Sequence, residues 1–134
     1  MMARAVNVSG TRKKAVARAT LKEGKGKVRI NNTDLSKFSN ALARAKINEA
    51  LTLAGTIHSK VDISINVFGG GWQAQADAIR LAIARGLVEF SKDKKLKDTY
   101  LEYDRHLLVA DVRRNEPHKP NNSKPRAKRQ KSYR

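Results

Sequence analysis

The sequence predicts an α/β (α+β) fold, in which a mixed sheet of about four strands has helices packed on it. Residues 61–68 alternate strictly between apolar and polar side chains, as a half-buried strand does. Residues 73–90 place apolar side chains three and four positions apart, as an amphipathic helix does, and three glycines separate the two segments. The length of 134 residues suits one domain with a single hydrophobic core.

The first thirty residues predict a β-hairpin. Between residues 6 and 21, small apolar side chains alternate with basic and polar ones, which is typical of a strand with one polar face. Gly24 and Gly26 bracket a turn, and residues 27–30 alternate again. We therefore expect the strand at 27–30 to fold back onto the strand that precedes it.

Two further helices are expected besides the one over residues 73–90, whose core stripe is Ile79, Ile83, Leu87 and Phe90. Asp34 is a residue type that caps helices, and a helical pattern follows it and ends at Gly55. The apolar face of this helix is Ala43, Ile47, Ala50, Leu51 and Ala54. A third helix over residues 96–104 would turn Leu96, Tyr100 and Tyr103 inward, and residues 107–110 would form a short final strand or extended segment.

Positive charge is concentrated at the two ends of the chain. The chain has 29 Lys plus Arg against 12 Asp plus Glu, a formal net charge of +17. Residues 1–29 and residues 113–134 each hold nine basic side chains and one acidic one, so the middle is nearly neutral. Such charge predicts a strongly anionic partner. We favour nucleic acid over a membrane surface, because no basic helix carries bulky apolar residues opposite its charges.

The charge pattern divides the chain into a globular RNA-binding body, residues 1–112, and a basic extended C-terminal tail, residues 113–134. All three prolines lie in the tail, and between Val112 and Tyr133 it has no large apolar side chain other than proline. Such a segment buries too little surface to offset its ordering entropy, so we expect it to be disordered until it is bound. From Pro117 onward it could reach up to about 60 Å.

Several classes of site are not expected. The chain has no cysteine, which excludes disulfides and thiolate zinc sites, and its three histidines are far apart in sequence. No Ser or Thr has a neighbouring His and acid pattern, so we expect neither an enzyme nor a cofactor or metal. No 18-residue apolar run and no signal-like start are present, which predicts a cytoplasmic protein with no membrane partner and no small-molecule substrate.

The basic run from Gly10 to Arg18 is the first candidate binding motif. Alternation would place Arg12, Lys14 and Arg18 on one strand face with Lys13 beside them, which concentrates charge at phosphate spacing. Guanidinium groups bind phosphate oxygens in pairs. The alternative is a solvated strand face without a ligand, since most charge runs are that.

The loop from Phe68 to Gln75 is the second candidate. Gly69, Gly70 and Gly71 would let a phosphate approach the backbone, and the following helix offers free N–H groups at its positive end. The loop lacks the Lys-Ser/Thr pair of a P-loop and the dinucleotide fingerprint, so ATP or NAD is disfavoured. A plain strand-to-helix turn remains the alternative, and Trp72 either stacks on a base or packs at the domain boundary.

Arg80 lies in the part of the helix nearest the glycines and is a further candidate for RNA binding. Asp77 either pairs with Arg80 or favours the helix start. Arg85 lies about 140° further around the helix, so the two arginines need not serve one ligand.

Further motifs are Gln73-Ala74, Ala78–Arg80, Ile83–Arg85, Asp111, Arg113-Arg114 and the terminal Gln130–Arg134. Together and in order with Gly10–Arg18 and Gly69–Gly71, these motifs resemble the universal S-nine family of small-subunit ribosomal proteins. The resemblance covers nearly the whole chain, and the ending is similar to the archaeal and eukaryotic cytosolic branch. The chain departs from the family pattern in two places: Val112 stands where a proline is common, and residues 121–124 replace a glycine-rich stretch.

The resemblance implies a left-handed β-α-β crossover and a structural place in the head of the small ribosomal subunit. It implies a tail that reaches the peptidyl-site transfer RNA, where Arg134 meets phosphates, Lys131 supports it, Tyr133 packs or stacks and Ser132 lies between them. Neighbouring ribosomal proteins would be further partners. The expected ribosomal RNA contacts are Arg12, Lys13, Lys14, Arg18, Gly69, Gly70, Gly71, Arg80, Arg113, Arg114, Lys119, Lys124, Arg126, Lys128 and Arg129.

Two other functions remain open on the sequence alone. One is a free nucleic-acid-compacting protein, which the net charge also suits. The other is a small ATP-using enzyme of related fold, for which the glycine loop is the sole support.

Overall fold

The computed structural model describes residues 4–38, 40–122, 124–127 and 132. Five strands and three α-helices form in this part of the chain, and short 3-10 turns lie at Leu35–Lys37, His58–Lys60 and Arg105–Leu107. In chain order the elements are β1 Ala5–Arg12, β2 Ala15–Glu23, β3 Val28–Ile30, β4 Thr33–Asp34, α1 Ala41–Ala54, β5 Val61–Phe68, α2 Trp72–Ser91 and α3 Lys94–Tyr103. The predicted fold class, helices packed on a mixed sheet, is confirmed.

The strand order of the sheet is β1-β2-β5-β3-β4. β3 and β5 are parallel and the other neighbours are antiparallel, which makes the sheet mixed. Since α1 connects β3 to β5, these three elements form a β-α-β unit. The left hand of that crossover stays a prediction.

The predicted pairing of the strand at 27–30 with the strand before it is wrong. β5 lies between them, because its backbone pairs with β2 along one edge and with β3 along the other. The hairpin is instead β1–β2, closed by Lys13 and Lys14 between the paired residues Arg12 and Ala15. Lys13 has a φ of 54°. Gly and Asn favour this backbone conformation, so a lysine at this position gives no sign of the turn in the sequence.

The helices cover one face of the sheet. α2 lies across β1 and β2, with α1 beside it and α3 against both helices. Gly10 permits the close approach, because a Cβ there would collide with the backbone of Ala78 in α2. The apolar stripe of α2 is buried at Ile79, Ile83 and Leu87, whereas Phe90 is only partly buried.

The inward face predicted for α1 is confirmed at every position, but the cap is not where the sequence predicted it. The side chain of Asn40 caps α1 by accepting the backbone N–H of Ala43 at 2.9 Å. Asp34 ends β4 and begins a 3-10 turn without a side-chain capping bond. The two residue types are equally good caps, so only the backbone path distinguishes them.

The third predicted helix is confirmed as α3, with Leu96 and Tyr100 buried. The Tyr100 hydroxyl donates to the backbone oxygen of Ala50 at 2.7 Å, and burial raises the pKa of that hydroxyl. The prediction of an inward Tyr103 is wrong, since it is 55% exposed. Residues 107–110 lie outside the sheet, so that segment is not a strand.

Candidate nucleic-acid interface

One end of the body gathers both sequence motifs. Lys46 of α1 pairs with Asp77 of α2, and Glu49 pairs with Arg80, so the two helices run in the same direction. Both helices therefore start at the end of the sheet where β3 and β5 finish. The β1–β2 turn lies there too, because Val16 is the register partner of Phe68 at the end of β5. We call residues 13–14, 40–42 and 69–72 together the glycine-loop end.

Two of the three glycines are needed by the fold itself. Gly69 and Gly70 have φ values of +78° and +65°, which disfavour a side chain. A Cβ on Gly69 would collide with the backbone oxygen of Lys14, and one on Gly70 would lie 3.2 Å from the Cβ of Ala15. For these two positions the strand-to-helix turn is a sufficient explanation.

Gly71 differs from its neighbours. It caps α2 without a side-chain bond, and a Cβ there would meet no atom within 4 Å. The first backbone N–H groups of a helix lack partners within the helix and point out of its positive end. Trp72, the first residue of α2, is 39% exposed beside them. This backbone is open to an anion.

Lys13 and Lys14 are exposed at the turn and point charge toward the same end. Holding Lys13 at a positive φ costs about 1 kcal/mol. Its backbone oxygen accepts a hydrogen bond from the Arg114 guanidinium, which links the turn to the start of the tail.

The prediction that Arg12 and Arg18 share a face is wrong. Arg12 lies on the helix-covered face of the sheet, where its side chain is 14% exposed and pairs with Asp111 at 3.5 Å and with Asp77 at 4.0 Å. Arg18 lies on the opposite, helix-free face and is exposed. The two-residue turn separates the strands, and the alternation of one strand does not continue into the next.

Arg80 is held inside the body. Its guanidinium pairs with Glu49 at 2.8 Å and with Asp104 at 3.1 Å, and its side chain is 11% exposed. Burial acts to raise the pKa of Asp104, but the His106 backbone N–H and the Arg80 guanidinium outweigh it and hold that pKa below its ordinary value. Arg80 thus ties α2 to α1 and to the end of α3.

Arginines also fix the path by which the chain leaves the body. Arg85 donates to the backbone oxygens of Leu108 at 2.9 Å and of Ser9 at 3.2 Å. Arg12 donates to the backbone oxygen of Arg113 at 3.3 Å. Residues 108–114 therefore run beside β1 from Ser9 toward the β1–β2 turn. The tail begins at the glycine-loop end, and the sequence carried no signal for this.

Asp111 is central to that path. Its carboxylate accepts from the Arg113 backbone N–H at 3.0 Å and from the Arg113 guanidinium at 2.7 Å, and it also pairs with Arg12. The Arg113 side chain, followed by its backbone N–H, holds the pKa of this carboxyl well below its ordinary range. The carboxylate stays charged and turns the backbone at the start of the tail.

Beyond Arg114, the bonds seen within residues 115–122 and 124–127 join tail residues to one another. Glu116 pairs with Arg126 at 2.9 Å, and Lys124 forms an isolated bridge with Ala127. Lys119, Lys124 and Ser132 are exposed. The other predicted tail contacts, Lys128, Arg129, Lys131, Tyr133 and Arg134, lie outside the described residues.

The described residues contain no group of three or more His, Asp or Glu placed to hold a metal ion. Within the same part of the chain, the helices are too short or too polar to cross a bilayer. The groups that the glycine-loop end offers to a ligand are cationic side chains and free backbone N–H groups.

A family model described as ribosomal protein S9/S16 matches residues 10–134. The chain belongs to the ribosomal protein S9/S16 family. The chain is 52% identical over 129 residues to a protein named small ribosomal subunit protein uS9 from Methanothrix thermoacetophila. The aligned region covers 96% of this chain and 98% of that protein. The chain is 50% identical over 131 residues to the protein of the same name from Methanococcus maripaludis, with 96% and 98% covered.

Membership of the S9/S16 family confirms the resemblance seen in the sequence motifs. It makes the chain a ribosomal protein rather than an enzyme, located on the ribosome in the cytoplasm. The open alternative of an ATP-using enzyme is thereby set aside.

Proposed function

We propose that this chain is a structural constituent of the small ribosomal subunit that binds ribosomal RNA and contacts the peptidyl-site transfer RNA with its tail. The names of its relatives support the place in the subunit. The observation that carries the RNA-binding role is the contact of Arg114 with the Lys13 backbone, which brings the two cationic ends of the chain together. Neighbouring ribosomal proteins are further partners.

The glycine-loop end is the proposed ribosomal RNA surface. Lys13 and Lys14 neutralise phosphates, and Gly71 leaves the free N–H groups at the start of α2 open to a phosphate oxygen. Gly69 and Gly70 shape this loop and bring its exposed backbone to the same RNA surface. Carboxylates already match the charges of Arg12 and Arg80, so these two arginines support the RNA surface by holding neighbouring elements in place.

The body of residues 1–112 and the tail of residues 113–134 divide the work. Arg113 and Arg114 set the start of the tail, and Lys119, Lys124, Arg126, Lys128 and Arg129 continue the ribosomal RNA contact. Lys131, Ser132, Tyr133 and Arg134 then reach the transfer RNA. The reach of about 60 Å from Pro117 allows this separation of sites.

The test of the body surface is a double substitution, Lys13→Gln with Lys14→Gln, in the full chain. We expect weaker binding to small-subunit ribosomal RNA. The slope of log K against log salt should fall by roughly 1.4 to 1.8, because each lost phosphate contact removes about 0.7 to 0.9. The matched control is Lys94→Gln with Lys95→Gln, at the exposed start of α3. Equal slopes for the test and control variants would contradict the assignment.

The test of the tail is deletion of residues 129–134. Subunits assembled with the shortened chain should form largely as before, because Arg129 is the one proposed ribosomal RNA contact that is lost, but they should retain peptidyl-site transfer RNA less well. Transfer RNA affinity is measured by filter binding to purified subunits at fixed salt, with the full chain as reference. Unchanged affinity would remove the tail from this role and leave the ribosomal RNA role intact.

A further inference from the structure

The face of the sheet opposite the helices is uncovered in the described part of the chain. Its side chains come from alternate positions of β1, β2, β3 and β5, and most are short and polar. They are Asn7, Ser9, Thr11, Val16, Arg18, Thr20, Lys22, Arg29, Asp62, Ser64, Asn66 and Phe68. We call this set the open sheet face.

Phe68 is the one large apolar side chain in that set, and it is 53% exposed. The guanidinium carbon of Arg18 lies 5.8 Å from the centre of its ring. The two residues are diagonal neighbours, since Arg18 is the register partner of Asn66 on the adjacent strand. The guanidinium therefore lies over one face of the ring, and the two groups form an exposed cation–aromatic pair on an otherwise polar face.

The net charge of this face is positive, which favours an anionic partner. Arg18, Lys22 and Arg29 outnumber two carboxylates on this side of the sheet. Asp34 is the register partner of Arg29 at the sheet edge, and Asp62 already accepts from the backbone N–H groups of Lys25 and Lys27 at 2.9 and 3.0 Å. The core of a permanent protein interface is more apolar than one phenylalanine with Val16 beside it would supply. A polyanion with flat groups fits both features.

We propose that Phe68 and Arg18 form a stacking site for one unpaired RNA base, with the short polar side chains around them available to its edges. This inference rests on the proposed RNA-binding function and names the kind of RNA bound on a second surface. Unpaired bases stack on aromatic rings and on guanidinium planes, whereas a duplex offers neither of its base faces. The strand end that carries Phe68 leads directly into the glycine loop, so an RNA chain bound at Lys13 and Lys14 could continue onto this face.

The experiment compares Phe68→Ala, Phe68→Leu and Phe68→Trp in the full chain, each binding small-subunit ribosomal RNA across a salt series. We expect the alanine and leucine variants to bind about tenfold more weakly, as loss of one stacking aromatic usually gives, and the tryptophan variant to bind as the original does. The salt slope should stay unchanged, because no phosphate contact is lost. The control is Leu101→Ala, which removes another exposed apolar side chain, 41% exposed, from α3, away from both proposed RNA surfaces.

Ultraviolet crosslinking of the assembled subunit supplies a second measurement, with the crosslinked residue located by mass spectrometry. A crosslink from Phe68 to a nucleotide supports the proposal. Unchanged binding of the alanine variant, full binding of the leucine variant, or a crosslink from Phe68 to a protein would each overturn it. If the Lys13 and Lys14 substitutions still weaken binding, the proposed function stands without the stacking site. If neither set of changes affects ribosomal RNA binding, the proposed function fails as well.

Discussion

The arginines of this chain fall into two groups, paired and exposed. The group to which an arginine belongs depends on its neighbours in space and not on its neighbours in sequence. Arg12 and Arg80 are enclosed by carboxylates, and Arg85 is used by two backbone oxygens. Arg18, in the same basic run as Arg12, is exposed beside an aromatic ring. A buried arginine with matched charge stabilises a junction between elements, whereas an exposed one can neutralise a phosphate.

At the residue scale, the three glycines of the loop should respond differently to the same substitution. Gly69→Ser should lower the free energy of unfolding by about 2 kcal/mol, because a side chain there is strained at positive φ and collides with the Lys14 backbone. Gly71→Ser should leave stability unchanged or raise it by up to about 1 kcal/mol, since Ser is a good N-cap and the space is open. Urea unfolding of both variants checks this, and similar losses would contradict it.

At the scale of elements, patterns along the chain predicted most of the strands and helices but not which strands would be neighbours. The strict alternation of residues 61–68 identified β5, and the helical spacing identified the inner face of α1. The pairing of β3 with β5 depends on a crossover through α1, which no local pattern contains. Asn31 reinforces that pairing, since its side-chain amide bonds the backbone N–H and oxygen of Val67.

The cap of α1 gives a prediction at this scale. Asn40→Ala should lower the free energy of unfolding by about 1 kcal/mol, because the backbone N–H of Ala43 loses its acceptor. Asn40→Asp keeps an oxygen in the same place and should stay within a few tenths of a kcal/mol of the original. Thermal and urea unfolding distinguish the two variants, and an equal loss in both would place the effect outside the cap.

At the scale of the whole molecule, the two cationic ends of the chain meet although nearly the full sequence separates them. Arg85, Arg12 and Arg114 hold residues 108–114 along β1, so the tail starts beside the β1–β2 turn. The cationic surface of the body and the tail thereby become one continuous region. In the proposed function, this continuity lets the body bind one RNA segment while the tail extends to a second.

Three carboxylates that join distant segments make the molecule sensitive to acid. The backbone N–H groups of Lys27 and then Lys25 lower the pKa of Asp62. The Arg113 side chain lowers the pKa of Asp111. Burial acts to raise the pKa of Asp104, but hydrogen bonds from the His106 backbone and the Arg80 side chain outweigh it and lower that pKa. A lowered pKa in the folded state means that the charged form stabilises the fold. This contribution is complete above the ordinary value of 3.8 and is lost as pH falls below it.

We therefore expect the free energy of unfolding to change little between pH 7 and pH 5 and to fall steadily below about pH 4. Urea unfolding at pH 7, 5 and 3 measures it. Asp111→Asn cannot titrate at that position, so its fall between pH 5 and pH 3 should be smaller than in the original chain. Self-repulsion among the basic groups rises in both proteins alike. An identical fall in the two would show that Asp111 does not contribute.

The sequence by itself determined the fold class, the burial of α1, β5 and most of α2, the basic character of both ends, and the family. These depend on side-chain type and spacing, which are local properties. Only the tertiary structure decided that Arg12 and Arg80 are matched by acids, that Gly71 is the one glycine of the loop with open space where a Cβ would lie, and that Phe68 is exposed with Arg18 over its ring. The reason is physical: whether a charge or a ring is free depends on the atoms opposite it, and those come from segments far away in the chain.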